Sequence, residues 1–131
     1  MYSIFRQKST YVYLLLSILS MLAALIVGIS DNPPGILLCF MSSVLLVLAF
    51  THNLNTVKSY LILLLISLAG FVVAAVLHNV FEALGKETFL GIIGVFFFLV
   101  AIFICPAGVI IGIGGMITRA LGKVKEKPIS S

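Results

Sequence analysis

Charged residues are scarce in this sequence, and their scarcity excludes most classes of soluble protein. Only 9% of the 131 residues are Asp, Glu, Lys or Arg, whereas 62% are hydrophobic. Soluble domains carry a charge on roughly a quarter of their residues. The mean hydropathy of +1.30 also lies far above the soluble range. The composition therefore predicts an integral membrane protein.

Motifs for catalysis or metal binding are equally scarce. The two cysteines, Cys39 and Cys105, form neither a CxxC pair nor part of a His/Cys set at metal-ligand spacing. The chain contains no phosphate-binding Walker loop and no nucleophile motif. We therefore expect a protein that is not an enzyme, holds no metal and uses no cofactor.

Four long apolar runs account for most of the chain. A bilayer core about 30 Å thick requires about 20 apolar residues per spanning helix. The runs predict helices at about residues 11–29, 35–51, 57–84 and 89–117. The first run is longer than the ~7–15 apolar residues of a signal peptide, so we expect a retained membrane helix. Because the connections are short, the expected fold is an all-α, antiparallel four-transmembrane-helix bundle within a single domain, 1–131.

Lysine and arginine are distributed unevenly between the two ends of these helices. Seven of the eight lie at the chain ends or between the second and third runs: Arg6, Lys8, Lys58, Arg119, Lys123, Lys125 and Lys127. The other two connections contain Asp31, Glu82, Lys86 and Glu87. Since excess Lys and Arg mark the cytoplasmic face, both termini are predicted to be cytoplasmic in a cell (inner) membrane.

The net charge of +4 is thus explained by orientation and by a basic cytoplasmic tail, residues 118–131. We expect no nucleic-acid partner. The expected partners are the lipid bilayer, anionic lipid at the basic tail, and either a second copy of the chain or another membrane protein.

Small residues recur every three or four positions in each run. The series in the fourth run is Gly91, Gly94, Phe98, Ala101, Cys105, Gly108, Gly112 and Gly115, and the third run includes Gly70 and Ala74. Lipid is as apolar as leucine, so membrane helices gain more from close backbone approach through small residues. These faces should contact protein, as packing within one bundle, as an interface between copies, or as a pore lining or hinge.

Pro106 interrupts the fourth run near its middle. Proline cannot donate a backbone hydrogen bond to the carbonyl of Ile102, and its ring crowds the preceding turn. The sequence therefore predicts a kink in the fourth helix near Pro106.

Ionisable side chains inside or near a membrane are candidates for function. His78 and Glu82 are four residues apart on the third helix, and Asp31 ends the first helix on the same predicted side. A histidine and two carboxylates could bind an ion or another ligand. The same spacing also fits a simple interfacial pair with a small structural effect, and catalysis is a third alternative.

Two functional hypotheses follow from these features. The first is a non-enzymatic small multi-pass protein that acts through helix–helix contacts, as an accessory, assembly or regulatory subunit, including a self-associating one. The second is a small oligomeric channel or transporter whose external mouth contains Asp31, His78 and Glu82 and whose kinked fourth helix acts as the gate.

Overall fold

The computed structural model of the chain describes residues 6–85 and 87–125. These residues form α1 (Lys8–Val27), α2 (Pro33–Thr51), α3 (Val57–Leu84), α4 (Phe89–Leu99), a π-helical segment (Val100–Ile104) and α5 (Cys105–Lys125). The last three elements follow one another without a break and are called the fourth span. Four helices are therefore long and apolar enough to cross a membrane, which confirms the predicted all-α class of a multi-pass membrane protein. Lys86 and the end of the predicted tail, 126–131, lie outside the described residues.

The turn between α1 and α2 is set by backbone conformation. α1 ends at Val27 because Gly28 adopts a φ of 92°, which glycine tolerates without strain. Asp31 also has a positive φ, of 56°, as aspartate does more readily than most residues. α2 then begins at Pro33, two residues before the predicted start, since proline suits the first turn of a helix.

Both ends of α3 agree with the sequence pattern. At its start, the Thr56 hydroxyl accepts the backbone N–H of Ser59 at 3.1 Å and so caps the helix. At its end, the helix stops at Leu84 and Gly85 follows as the C-cap.

The fourth span differs from a continuous α-helix. In the π segment the N–H of Cys105 donates to the carbonyl of Val100, five residues earlier. Pro106, which has no N–H to donate, follows directly. The span also continues to Lys125, so residues 118–125 of the predicted tail are helical.

The helices pack as two pairs joined side by side. α1 packs along α2, and α3 packs along all three elements of the fourth span. α2 also approaches the π segment and α5, and thereby connects the pairs. Among the described helices, the backbone of α1 comes close to that of α2 alone. The order across the molecule is thus α1, α2, fourth span, α3.

Small residues at intervals of seven are buried between α1 and α2. They are Thr10, Ser17 and Ala24 on the first helix and Gly35, Ser42 and Ala49 on the second. At the centre, the Ser17 hydroxyl donates to the Ser42 carbonyl at 2.8 Å, and the Ser42 hydroxyl donates to the Ser17 carbonyl at 2.8 Å. These reciprocal hydrogen bonds are possible because no large side chain separates the two backbones.

Contacts along this interface combine rising residue numbers on α1 with falling numbers on α2: Gln7 with His52, Ser17 with Ser42, Gly28 with Gly35. These contacts extend from one end of each helix to the other. Large side chains such as Leu25 and Ile26 point away from the interface and are exposed, at 62% and 86%. In a membrane, that surface faces lipid.

Glycines of the fourth span lie directly against α3. A Cβ added at Gly112 would lie 3.1 Å from the Leu64 Cβ and 3.2 Å from the Leu64 Cα and N. Gly108 lies against the Ser67 hydroxyl, and Gly115 lies against the ring of Tyr60. We call this interface the α3–α5 seam.

The other small residues named from the sequence occupy similar places. Ala74 and Ala101 are each 4% exposed. Gly94 is buried, whereas Gly70, Gly91 and Gly115 are half-buried. A Cβ at Gly70 would lie 3.6 Å from the Cys105 sulfur, which is ordinary contact. The small residues of α3 and the fourth span that the sequence pattern named thus lie on faces that contact protein.

The close approach at Gly112 predicts a position-specific effect of one methyl group. Gly112→Ala should lower the free energy of unfolding in detergent by about 1–3 kcal/mol relative to Gly114→Ala, because the new methyl meets the α3 backbone. Gly114 is the matched control, since nothing lies within 4 Å of a Cβ added there and the change in helix propensity is the same. Equal stabilities of the two variants would contradict a tight α3–α5 seam.

Candidate functional site

A cleft lies between the end of α3 and the start of the fourth span. It has a volume of about 270 Å³ and is lined by His78, Glu82, Gly91, Gly94 and Val95. The last two turns of α3 provide the two ionisable side chains, and α4 provides two glycines three residues apart. We call it the His78 cleft.

The orientation of His78 is fixed by two contacts with the fourth span. Its Nδ1 lies 2.9 Å from the carbonyl oxygen of Gly94. Because a carbonyl oxygen only accepts, Nδ1 carries a hydrogen and donates it. The imidazole also lies against the Phe98 ring, with 5.0 Å between ring centres. The Nε2 atom, on the opposite edge of the ring, therefore points away from the Gly94 carbonyl.

Glu82 lies one helical turn further along α3 and faces this second nitrogen. The distance from His78 Nε2 to Glu82 Oε2 is 3.5 Å, and the side chains are 24% and 47% exposed. This separation exceeds the about 2.7–2.9 Å of a charge-assisted hydrogen bond. When His78 is cationic, the pair is a weak ion pair. When His78 is neutral, Nε2 and the carboxylate offer two ligand atoms to a cation or a proton.

Gly94 lies where α4 contacts the backbone of α3, close to His78 and Glu82. A Cβ at this position would lie 3.4 Å from the backbone N of Glu82 and 3.5 Å from the carbonyl oxygen of His78. These are ordinary contact distances, so alanine would fit here, whereas a side chain larger than alanine would separate α4 from α3 and lengthen the His78 hydrogen bond. The small-residue face therefore also shapes the cleft.

Asp31 does not complete this arrangement. It is an exposed residue of the turn between α1 and α2, and α1 does not approach α3. Among the described residues, no group of three or more His, Cys, Asp or Glu side chains is placed to hold a metal ion. The structure thus brings together two of the three candidate residues, His78 and Glu82.

Sequence reasoning missed a second polar cluster, at the opposite end of α2. There the Nδ1 atom of His52 lies 3.1 Å from the Leu48 carbonyl oxygen and 3.0 Å from that of Ala49. Its Nε2 atom lies 3.0 Å from Gln7 Oε1, across the interface with α1. The signal available in the sequence is a histidine directly after a helix, a position well placed to bind the last carbonyls.

The contacts of His78 predict a measurable contribution to packing. His78→Phe keeps a ring beside Phe98 but removes the hydrogen bond to Gly94, so the free energy of unfolding in detergent should fall by about 0.5–1.5 kcal/mol. The control is Asn79→Ala, because the exposed Asn79 amide donates within its own helix, to Ala75 at 2.8 Å. An equal loss in both variants would argue against an interhelical role for His78.

No protein-family model, no curated protein sequence and no solved structure matches this chain. Its function must therefore be inferred from its own residues. Those residues provide tightly packed helix interfaces, and one small cleft with a histidine and a carboxylate.

Proposed function

We propose that the chain is a non-enzymatic four-pass membrane protein that acts through helix–helix contacts, as an accessory, assembly or regulatory subunit. The observation that carries this proposal is that polar side chains inside the helices form hydrogen bonds to helix backbones. The hydroxyls of Ser17 and Ser42 bind each other's backbone, and Ser43 and Thr51 bind carbonyls of their own helix. Among the described, non-exposed residues, no buried side-chain nitrogen or oxygen lacks a hydrogen-bond partner. The described polar groups inside the helices thus stabilise packing.

An outward notch on α5 supports contact with another membrane helix. Gly114 is exposed, and nothing lies within 4 Å of a Cβ added there. The surrounding side chains are large and exposed, with Ile110 at 55%, Ile117 at 54% and Leu121 at 61%. A small residue between large ones lets a second backbone approach closely. The proposed contact is with a helix of a partner protein or of a second copy.

The finer architecture belongs to the same proposal. The short turns and the pairing of the helices support an antiparallel bundle. The π segment directly before Pro106 supports a bend in the fourth span, since sharp bends occur at both features. The uneven distribution of Lys and Arg supports a cell-membrane location with cytoplasmic termini and an anionic-lipid contact at the basic tail.

A substitution at the notch tests the contact. Gly114→Leu should abolish photo-cross-linking from a probe at Ile117 in native membranes, because leucine fills the notch. Ala69→Leu is the matched control, since Ala69 is a small exposed residue on α3. This control should leave the cross-linked product unchanged.

Gly112→Leu is not a suitable probe of an outer contact, because Gly112 lies against Leu64 of the same chain. The proposal is contradicted if the wild-type chain gives no cross-linked product with any membrane protein. It is also contradicted if Gly114→Leu and Ala69→Leu reduce the product equally.

A second candidate function, a small oligomeric channel or transporter, is favoured by the His78 cleft. The cleft is open, and two ionisable side chains line it at the end of α3. In this alternative His78 and Glu82 form the external mouth, Asp31 adds negative charge in the turn between α1 and α2, and a bend near Pro106 acts as the gate.

Ion flux through liposomes containing the purified protein separates the two functions. The helix-contact proposal predicts no flux above that of empty liposomes. The transporter alternative predicts flux that is at least about tenfold lower in the His78→Ala, Glu82→Ala double variant, by analogy with the loss of an ionisable relay group. Glu87→Gln is the control, because Glu87 is an exposed acid that does not line the cleft.

A further inference from the structure

A second polar cleft lies at the other end of the molecule, where α5 passes the connection between α2 and α3. Its volume is about 230 Å³, and it is lined by Asn55, Thr118, Arg119, Gly122 and Lys123. Gly122 leaves this space open, since nothing lies within 4 Å of a Cβ added there. The Thr118 hydroxyl donates to the Gly115 carbonyl at 3.1 Å and so turns back to its own helix. We call this space the Arg119 cleft.

The charge in this cleft is positive and uncompensated by the described residues. Arg119 and Lys123 are exposed and one helical turn apart, a spacing at which like charges repel. Neither forms an ion pair with a residue that the structure describes. The described carboxylates, Asp31, Glu82 and Glu87, lie at the opposite ends of α2 and α3 or just beyond them. Glu126, three residues after Lys123, lies outside the described residues.

The position of the cleft along the fourth span matches the level of lipid phosphates. No charged residue occurs from Phe89 to Thr118. At 1.5 Å per residue this run extends about 45 Å, close to the ~40–45 Å thickness of a bilayer with its headgroups. Arg119 and Lys123 therefore follow the apolar run where phosphates lie.

The donors in the cleft suit a phosphate group. A guanidinium binds two phosphate oxygens in a planar, bidentate geometry, and an ammonium adds a point charge. The Asn55 amide can provide a further donor, and α3 begins two residues later with its positive helix end. No described acid lines the cleft to bind a choline or ethanolamine group.

From these observations we propose that the Arg119 cleft binds the phosphate of one anionic phospholipid. This inference rests on the proposed anionic-lipid contact of the basic tail, which includes Arg119 and Lys123, and it narrows that contact from a general surface attraction to one site. The site is built by side chains from α5 and from the α2–α3 connection, and it holds one headgroup at a defined position. The bound lipid would fix α5 against that connection.

Lipid titration followed by native mass spectrometry in detergent tests this proposal. The probe is short-chain phosphatidylglycerol, with phosphatidylcholine as the neutral comparison. Arg119→Gln and Lys123→Gln should each weaken the first phosphatidylglycerol-binding step about fivefold, and the double variant about 25-fold. Phosphatidylcholine should bind more weakly and should not respond to these changes.

The matched control removes two charges at the same end of the molecule but outside the cleft. Lys8 and Lys58 are exposed and do not line it. The double variant Lys8→Gln, Lys58→Gln should change phosphatidylglycerol binding less than twofold. An unchanged circular dichroism spectrum for all variants shows that the helices are retained.

Three results would overturn the proposal. The first is an equal loss of binding in the control and cleft variants, which would indicate a diffuse charge effect. The second is equal binding of phosphatidylcholine and phosphatidylglycerol. The third is full displacement of the lipid by inorganic phosphate at equal concentration, which would make free phosphate the ligand.

Discussion

Close approach of helix backbones is the constraint on which this structure depends. In hydrocarbon, a leucine gains little by moving from lipid to a neighbouring helix, so tight packing requires small residues at the interface. The same closeness gives polar groups their partners. The Ser17 hydroxyl reaches the Ser42 carbonyl because both helices carry small residues there, and His78 reaches the Gly94 carbonyl where this small residue lies against the α3 backbone. The close approach of the helices therefore accounts both for their packing and for the hydrogen bonds between them.

The parts of the fold that could be predicted are those encoded locally. Hydropathy defines the four spans, and a spacing of three or four residues identifies the buried face, including Ala101, Gly108 and Gly112. The π segment was not predictable, because a shift in hydrogen-bond register leaves no hydropathy signal. The pairing of His78 with Glu82 followed from helical spacing. The separation of Asp31 from that pair did not, since it depends on how one helix pair lies beside the other.

Residues that pack the helices and residues that can carry a charge occupy different positions along the helix axes. The middle of each helix contains small residues and satisfied hydroxyls, whereas the ionisable groups lie at the ends. The end with the α1–α2 and α3–α4 turns carries the described acids and His78. The end with the α2–α3 connection carries Arg119, Lys123 and the His52 cluster. Such a molecule meets the two membrane surfaces with different charge, while its centre serves packing.

The side-by-side order of the helices has a consequence for biosynthesis. Because the backbone of α1 comes close to that of α2 alone, its closest interhelical contacts can form once the ribosome has made the residues up to His52. The first hairpin can therefore assemble in the bilayer before α3 leaves the translocon. The second hairpin needs its partner glycines from the end of the chain, including Gly112 and Gly115. The order of the sequence therefore allows α1 and α2 to pair before α3 and the fourth span are complete.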